Sequence, residues 1–405
     1  MVIKNKHIVM LGCFDTKGED FTYLYECLKG FGEEVLTINT GVMETSVDFP
    51  IAYGNKMVAE HTGTSLATIR KSSDRGKAVE LMGQGAAKVI SDLVENDMVK
   101  GIIGMGGGGG TYMALAAMQE APLGIPKLCL STIASWDLSR YIGAKDITLM
   151  SSVVDVAGLN SISSLLIKQA AAAICAMANV SIAASKTKKK TIAISMFGNT
   201  TKCVDKCSEL LKEKGFEVLV FHATGVGGAT MESLIREGVF DAVLDVTTTE
   251  LADELCGGVL SAGPDRLTAA SNMGVPQVVA PGCLDMVNFG HLDTLPSEFS
   301  SRQLYSWAPN VTLMRTNIEE NIALGKMVTD KLNASKTAVT IILPKKGISQ
   351  IDKEGDIFYD PEVDKALFDS IKKNSRDGIP VVEVDAHIND EAFSRALVEQ
   401  LMKII

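Results

Sequence analysis

The chain has 405 residues, about twice what one hydrophobic core usually fills, so two domains of about 200 residues each are expected. The composition, 46% hydrophobic and 22% charged, is that of a globular protein, and a formal net charge of -10 without an arginine-rich stripe argues against nucleic acid and anionic membranes as partners. Eight cysteines stand singly without a Cys-x-x-Cys pair and read as reduced thiols of a cytoplasmic protein, and the start MVIKNKHIVML runs into a first strand with no signal peptide pattern.

In the first half, short apolar runs at residues 7–12, 35–39, 101–105 and 127–130 alternate with amphipathic helical stretches from about Phe21, near 74–95, after the third strand, and after Asn160. Near-continuous apolar strands separated by helices predict a mostly parallel sheet covered on both faces, with ligand-binding loops at the strand carboxyl ends. The first of those loops carries Asp15, Thr16, Lys17 and Gly18; Lys17 can neutralise phosphate charge and Asp15 can hold magnesium. An Asp-x-x-Gly turn with an exposed lysine is the structural alternative.

Residues 101–111, GIIGMGGGGGT, follow strand with glycines and then a helix start. This order exposes unpaired backbone N–H groups, and glycines let a phosphate or carboxylate approach without meeting a Cβ, so Gly106, Gly107, Gly108, Gly109, Gly110 and Thr111 are candidate anion ligands. The competing reading is a tight turn packed against another backbone. The run has neither the lysine of a Walker A motif nor an acid ending the next strand to hold a ribose, which disfavours a nicotinamide cofactor. Residues 131–137, STIASWD, add hydroxyls at the next strand end, where helix capping competes with ligand binding.

Residues 159–185 are apolar and alanine-rich but interrupted by Lys168 and Gln169, which predicts a buried or interface helix rather than a membrane span. With 18 methionines in an acidic chain, that helix leads to the expectation of a homo-oligomer. Residues 184–190, ASKTKKK, read as the linker between an N-terminal lobe at 1–183 and a C-terminal lobe at 191–405.

The pattern restarts after the linker, with strands expected at 191–196, 217–222, 242–246, 277–280 and 311–315, and later ones near 339–343 and 381–384 completing the second sheet. Each half opens alike, CFDTKG against MFGNTTK, which suggests two related lobes facing across a cleft. His222 ends a strand before a second glycine-rich turn, Glu250 follows TTT, and His291 closes PGCLDMVNFGH. Imidazoles and a carboxylate from separate strand ends are able to hold a divalent metal, manganese or zinc, with His222 and Glu250 in catalytic roles and His291 as third ligand. The plainer reading gives Thr247 and Glu250 a capping box and His222 an ordinary hydrogen bond.

The runs DTKG, GMGGGGGT, GIPKLCLSTIAS, SSVVDVAGLN, FHATGVGGATME, TTTELADEL, LSAGPDRLTAA and VPQVVAPGCLDMVNFG span almost the whole chain. Taken together they resemble the family of the nucleotide-binding N-terminal region of the tomato mosaic virus resistance protein, the Tm-1-like ATP-binding domain family. The resemblance implies two Rossmann-like lobes, with ATP and magnesium in the first, on Asp15, Thr16, Lys17, the glycines 106–110 and Thr111, with Thr132 nearby. Trp136, and Trp307 with Ala308, depart from the family pattern.

Three readings of function follow: an ATP- or anion-binding enzyme acting on a small oxygen-rich metabolite, a metal-dependent hydrolase of a small carbonyl substrate, cleaving an amide or a carbon-carbon bond beside a ketone without ATP, or a non-catalytic ATP-binding regulatory module.

Overall fold

Five strands form the first sheet: β1 (His7–Gly12), β2 (Val35–Asn39), β3 (Val99–Gly106), β4 (Lys127–Ser131) and β5 (Ile147–Ser151). A computed structural model describes residues 6–181 and 189–405, so most of the expected linker, 184–188, lies outside the described residues. The chain divides into two units, Met1–Ala184 and Ser185–Ile405.

Both units are α/β, each built on a parallel sheet with helices on its two faces. In the first the strand order is β2-β1-β3-β4-β5, parallel throughout. Strand residues alternate between faces: Val9, Leu11 and Ile102 pack with helices Arg75–Glu95 and Gly108–Met118, whereas Ile8, Met10 and Ile103 pack with helices Gly18–Gly30 and Ser161–Ala178. The helices that follow β1 and β3 therefore leave on opposite faces, and the carboxyl ends of these neighbouring strands diverge into a crevice. Strand β5 escapes the apolar-run criterion because it is an edge strand and only partly buried.

Helix Ser161–Ala178 is long and apolar enough to cross a membrane by length and composition alone. Here it packs on the first sheet through Ile167, Ala170, Ala171 and Ile174, and Asn160 with Ser163 closes a capping box at its start.

In the second unit the strands are β6 (Thr191–Met196), β7 (Glu217–His222), β8 (Ala242–Thr247), β9 (Gln277–Gly282), β10 (Met286–Phe289), β11 (Leu304–Ala308), β12 (Val311–Arg315), β13 (Val339–Pro344) and β14 (Val381–Val384). Six of them form a parallel sheet, β14-β13-β9-β8-β6-β7, whose crossing pattern around β6 and β8 repeats that around β1 and β3. Strand β12, expected in the main sheet, instead lies in an antiparallel sheet β10-β12-β11. Only Cys283, Leu284 and Asp285 separate β9 from β10, too few residues for a parallel crossover, so the chain turns out of the main sheet.

Helix Arg75–Glu95 crosses helix Asn55–Glu60 at Gly85, where a Cβ would lie 2.0 Å from the Val58 carbonyl oxygen. Gly85→Ala is expected to lower stability by about 1–3 kcal/mol by forcing the helices apart, read as a lower urea midpoint with an unchanged slope.

Candidate functional site

The crevice at the ends of β1 and β3 opens as a cavity of about 690 Å³. It is lined by the turn from Gly106 into helix Gly108–Met118, by Asp15, Thr16 and Lys17 from the turn after β1, and by Arg70 and Arg75. Ile69, Val79, Met82 and Met113 make an apolar side. The cavity therefore joins an anion-receptive floor to an apolar recess, the division expected of a site for a ligand with a charged head and an uncharged body.

Both readings of the glycine run hold, for different glycines. Gly104 and Gly106 serve packing: a Cβ on Gly104 would stand 2.6 Å from that of Ala114, and one on Gly106 would stand 3.0 Å from the Gly110 Cα. At Gly108 a Cβ would meet nothing within 4 Å, so that glycine leaves room over the helix start. The first bond inside the helix is from Thr111 N to the Gly107 carbonyl at 2.8 Å. The N–H groups of Gly108, Gly109 and Gly110 precede it and lack acceptors within the helix.

Among the described residues, neither Lys17 nor Arg75 has an ion-pair partner. Arg70 bonds to the Val42 carbonyl and to Glu44 at 3.0 Å. Asp15 Oδ2 accepts from Met43 N at 2.8 Å, while its buried Oδ1 has no partner. Gly41 makes room for that carboxylate, since a Cβ there would fall 2.3 Å from Oδ1. Cys13 also lines the cavity, but burial pushes its thiol up to about 11, which suits a packing group and not a nucleophile.

Thr111 and Thr132, expected on the ligand, are not among the cavity-lining residues. The Thr111 side chain is fully buried and its hydroxyl meets Ser131 Oγ at 2.6 Å, tying the glycine turn to β4. Thr132 pairs its N–H with the Gly106 carbonyl at 3.2 Å. Arg70, Arg75 and Thr40 were missed by motif reading. Arg75 opens its helix directly after the Asp74 N-cap, and nothing in that local spacing marks it as a ligand group.

The second unit does not assemble the expected metal set. Glu250 is fully buried, and its Oε1 accepts from Gly225 N at 2.7 Å and Gly228 N at 3.1 Å, so it caps helix Val226–Arg236, not its own helix. The Thr247–Glu250 capping box does not form, because Thr247 Oγ1 is engaged with Thr200 Oγ1 at 2.7 Å. Glu250 Oε2 accepts a hydrogen bond from Arg266 Nε at 2.6 Å, and the same guanidinium reaches Asp245 at 2.5 and 2.7 Å and Glu232 at 3.3 Å. Burial raises the Glu250 carboxyl and Arg266 works against that rise. His222 is exposed with its ring 5.5 Å from that of Phe197, and His291 is exposed with its carbonyl accepting from Thr294. Among the described residues no group of three or more His, Cys, Asp or Glu side chains is arranged to hold a metal ion. Separate strand ends carry these residues, but Glu250 points inward to a buried cation and the imidazoles point to solvent.

Fold and cavity define a protein of two doubly wound α/β units whose first unit lines a cavity with a glycine-rich helix start, Lys17, Arg70 and Arg75. The chain belongs to the UPF0261 family: residues 6–183 match the model described as "Uncharacterised protein family (UPF0261) N-terminal domain", and residues 189–405 match that of its C-terminal domain. It is 46% identical to a UPF0261 protein of Clostridium tetani over 99% of both chains, and 42% identical to one of Rhizobium meliloti over 97% of this chain and 98% of that one. It is also 36% identical to the ToMV resistance protein Tm-1(GCR237) of Solanum lycopersicum, over 98% of this chain and 55% of that protein.

Removing Arg266 would leave Glu232, Asp245 and Glu250 buried without their cation. Arg266→Ala is expected to cost about 3–5 kcal/mol of stability, measured by urea unfolding. A loss below 1 kcal/mol would show that the carboxylates are not held as an ion cluster.

Proposed function

We propose that the first unit binds a nucleoside polyphosphate, ATP with magnesium, in the cavity between β1 and β3. The observation that carries this reading is the helix start at Gly108, Gly109 and Gly110, with unused N–H groups, open space above Gly108 and the unpaired Lys17 on the adjoining wall. Phosphate oxygens suit those donors, Lys17 and Arg75 suit their charge, and the apolar recess beside Val79 and Met82 suits a base. The Asp15 carboxylate, whose Oδ1 is buried and unpartnered, fits a magnesium ion carried by the phosphates, held directly or through water. What magnesium supplies is charge neutralisation; what the chain supplies is orientation of the phosphates along a fixed helix axis.

Between an ATP-using enzyme and a regulatory module, the cavity supports binding in both and leaves turnover to measurement. The hydrolase reading through His222, Glu250 and His291 finds no support, because Glu250 is committed to Arg266 and two backbone N–H groups. A homo-oligomer formed through the outward face of helix Ser161–Ala178, where Ile162 and Leu165 are exposed, belongs to the same proposal.

Calorimetric titration of ATP with magnesium tests the site. Lys17→Ala is expected to weaken binding about 10- to 100-fold, the worth of one charge-assisted hydrogen bond. Gly108→Val should lose at least as much, by filling the space above the helix start, with thermal stability little changed. Wild-type affinity in both variants would assign the glycine turn to packing alone. Phosphate release from ATP, measured on the same samples, separates the enzyme from the module.

A further inference from the structure

A second polar cluster lies at the carboxyl ends of β9 and β13 and takes no part in the proposed function. Asp285 follows β9, Arg315 ends β12, Ser349 and Asp352 lie in the turn after β13, and Asp364 is in the first turn of helix Pro361–Asn374. None of the five is more than 5% exposed. Three carboxyl groups share one cation, with Arg315 Nη2 standing 2.8 Å from Asp364 and 3.6 Å from Asp352. Ser349 Oγ donates to Asp285 Oδ2 at 2.7 Å, and Ile348 N donates to Asp352 Oδ2 at 2.8 Å. Oδ1 of Asp285 and Oδ1 of Asp352 are buried without a donor. Asp352 and Asp364 thus meet at the same guanidinium nitrogen, Arg315 Nη2.

We propose that Asp352 and Asp364 hold one proton between them, the Asp364 hydroxyl donating to the otherwise unpartnered Oδ1 of Asp352, and that this proton latches helix Pro361–Asn374 onto the turn after β13. Fully ionised, the three carboxylates against one guanidinium would leave an uncompensated buried charge, which is far more costly than a protonated carboxyl. One proton removes part of that charge and supplies the donor that Asp352 lacks. Arg315 then grips the segment from the other side, donating from Nε to the Phe358 carbonyl at 2.8 Å and from Nη2 to the Asp360 carbonyl at 3.4 Å.

The groups facing the pair are Arg315 from β12, Asp285 and the Cys283 thiol from the turn after β9, and the Ser349 hydroxyl. Behind Ser349 stands His387, whose Nδ1 accepts from Asn389 N while Nε2 meets the Ser349 carbonyl at 2.8 Å, the pattern of a neutral ring. Burial first, and then the Asp352 charge, push the Asp364 carboxyl up to about 9. Burial also pushes Asp285 up to about 7, again with Asp352 adding to the rise.

The sign of the linkage follows. Above about pH 4 the unfolded chain has released the Asp364 proton while the folded chain keeps it. Its contribution to stability is therefore full at acid pH, falls as pH rises, and is gone once pH passes the folded value. Denaturant unfolding of the full chain between about pH 5 and pH 10 tests this against Asp364→Asn, which keeps the shape and supplies a permanent N–H donor. The ratio of the wild-type folding constant to that of the variant is expected to fall about tenfold per pH unit up to about pH 8 and then to level off. Parallel pH profiles for the two proteins would overturn the proposal. Infrared spectra of the wild type give a readout that does not depend on the variant folding. A protonated-carboxyl carbonyl band present at neutral pH and lost in alkali is expected, and its absence at neutral pH would equally overturn the proposal.

Discussion

The divergence of the chain at the ends of β1 and β3 is the constraint on which the first unit depends. Two neighbouring parallel strands each need a crossover helix, and here those helices, Gly18–Gly30 and Gly108–Met118, lie on opposite faces of the sheet. The two turns cannot cover one another, so the crevice between them stays open. Lys17 is at the cavity because it begins one of these helices, and the glycine floor is there because it begins the other. Gly104 matters to the site without touching it, since its missing Cβ lets the helix lie close enough to β3 for the turn to be this short.

The second unit repeats the strand order but spends its donors internally. Its glycine-rich helix start at Gly225 and Gly228 already holds an anion, the Glu250 carboxylate, and Arg266 balances that charge together with Asp245 and Glu232. Gly228 is required by this arrangement, because a Cβ there would fall 2.0 Å from Glu250 Oε2. The two units therefore treat one electrostatic problem differently: the helix start faces an open cavity in the first and is satisfied by the chain's own acid in the second.

That difference marks how far the sequence could be read. That Lys17 and the glycines at 106–110 stand at strand ends was legible, because strand, turn and helix follow one another within a dozen residues. Arg70 and Arg75 were not: they come from the segment between β2 and β3, and only the packing of helix Arg75–Glu95 beside the glycine turn brings them to the cavity. Neither the metal-ligand reading of Glu250 nor the local cap with Thr247 describes its partners, because the groups it bonds are 25, 22 and 16 residues away.

The sequence by itself determined the class of fold, because buried parallel strands must be apolar along their length and the helices between them amphipathic, a periodicity that survives without coordinates. It also determined that a glycine-rich helix start would stand at a strand end. Only the tertiary structure decided which glycines pack and which leave space, that Thr111 turns inward to Ser131, and that β12 pairs antiparallel beside β10 and not in the main sheet. Each of these depends on what lies opposite a residue across the fold, and that distance in space is not encoded in any spacing along the chain.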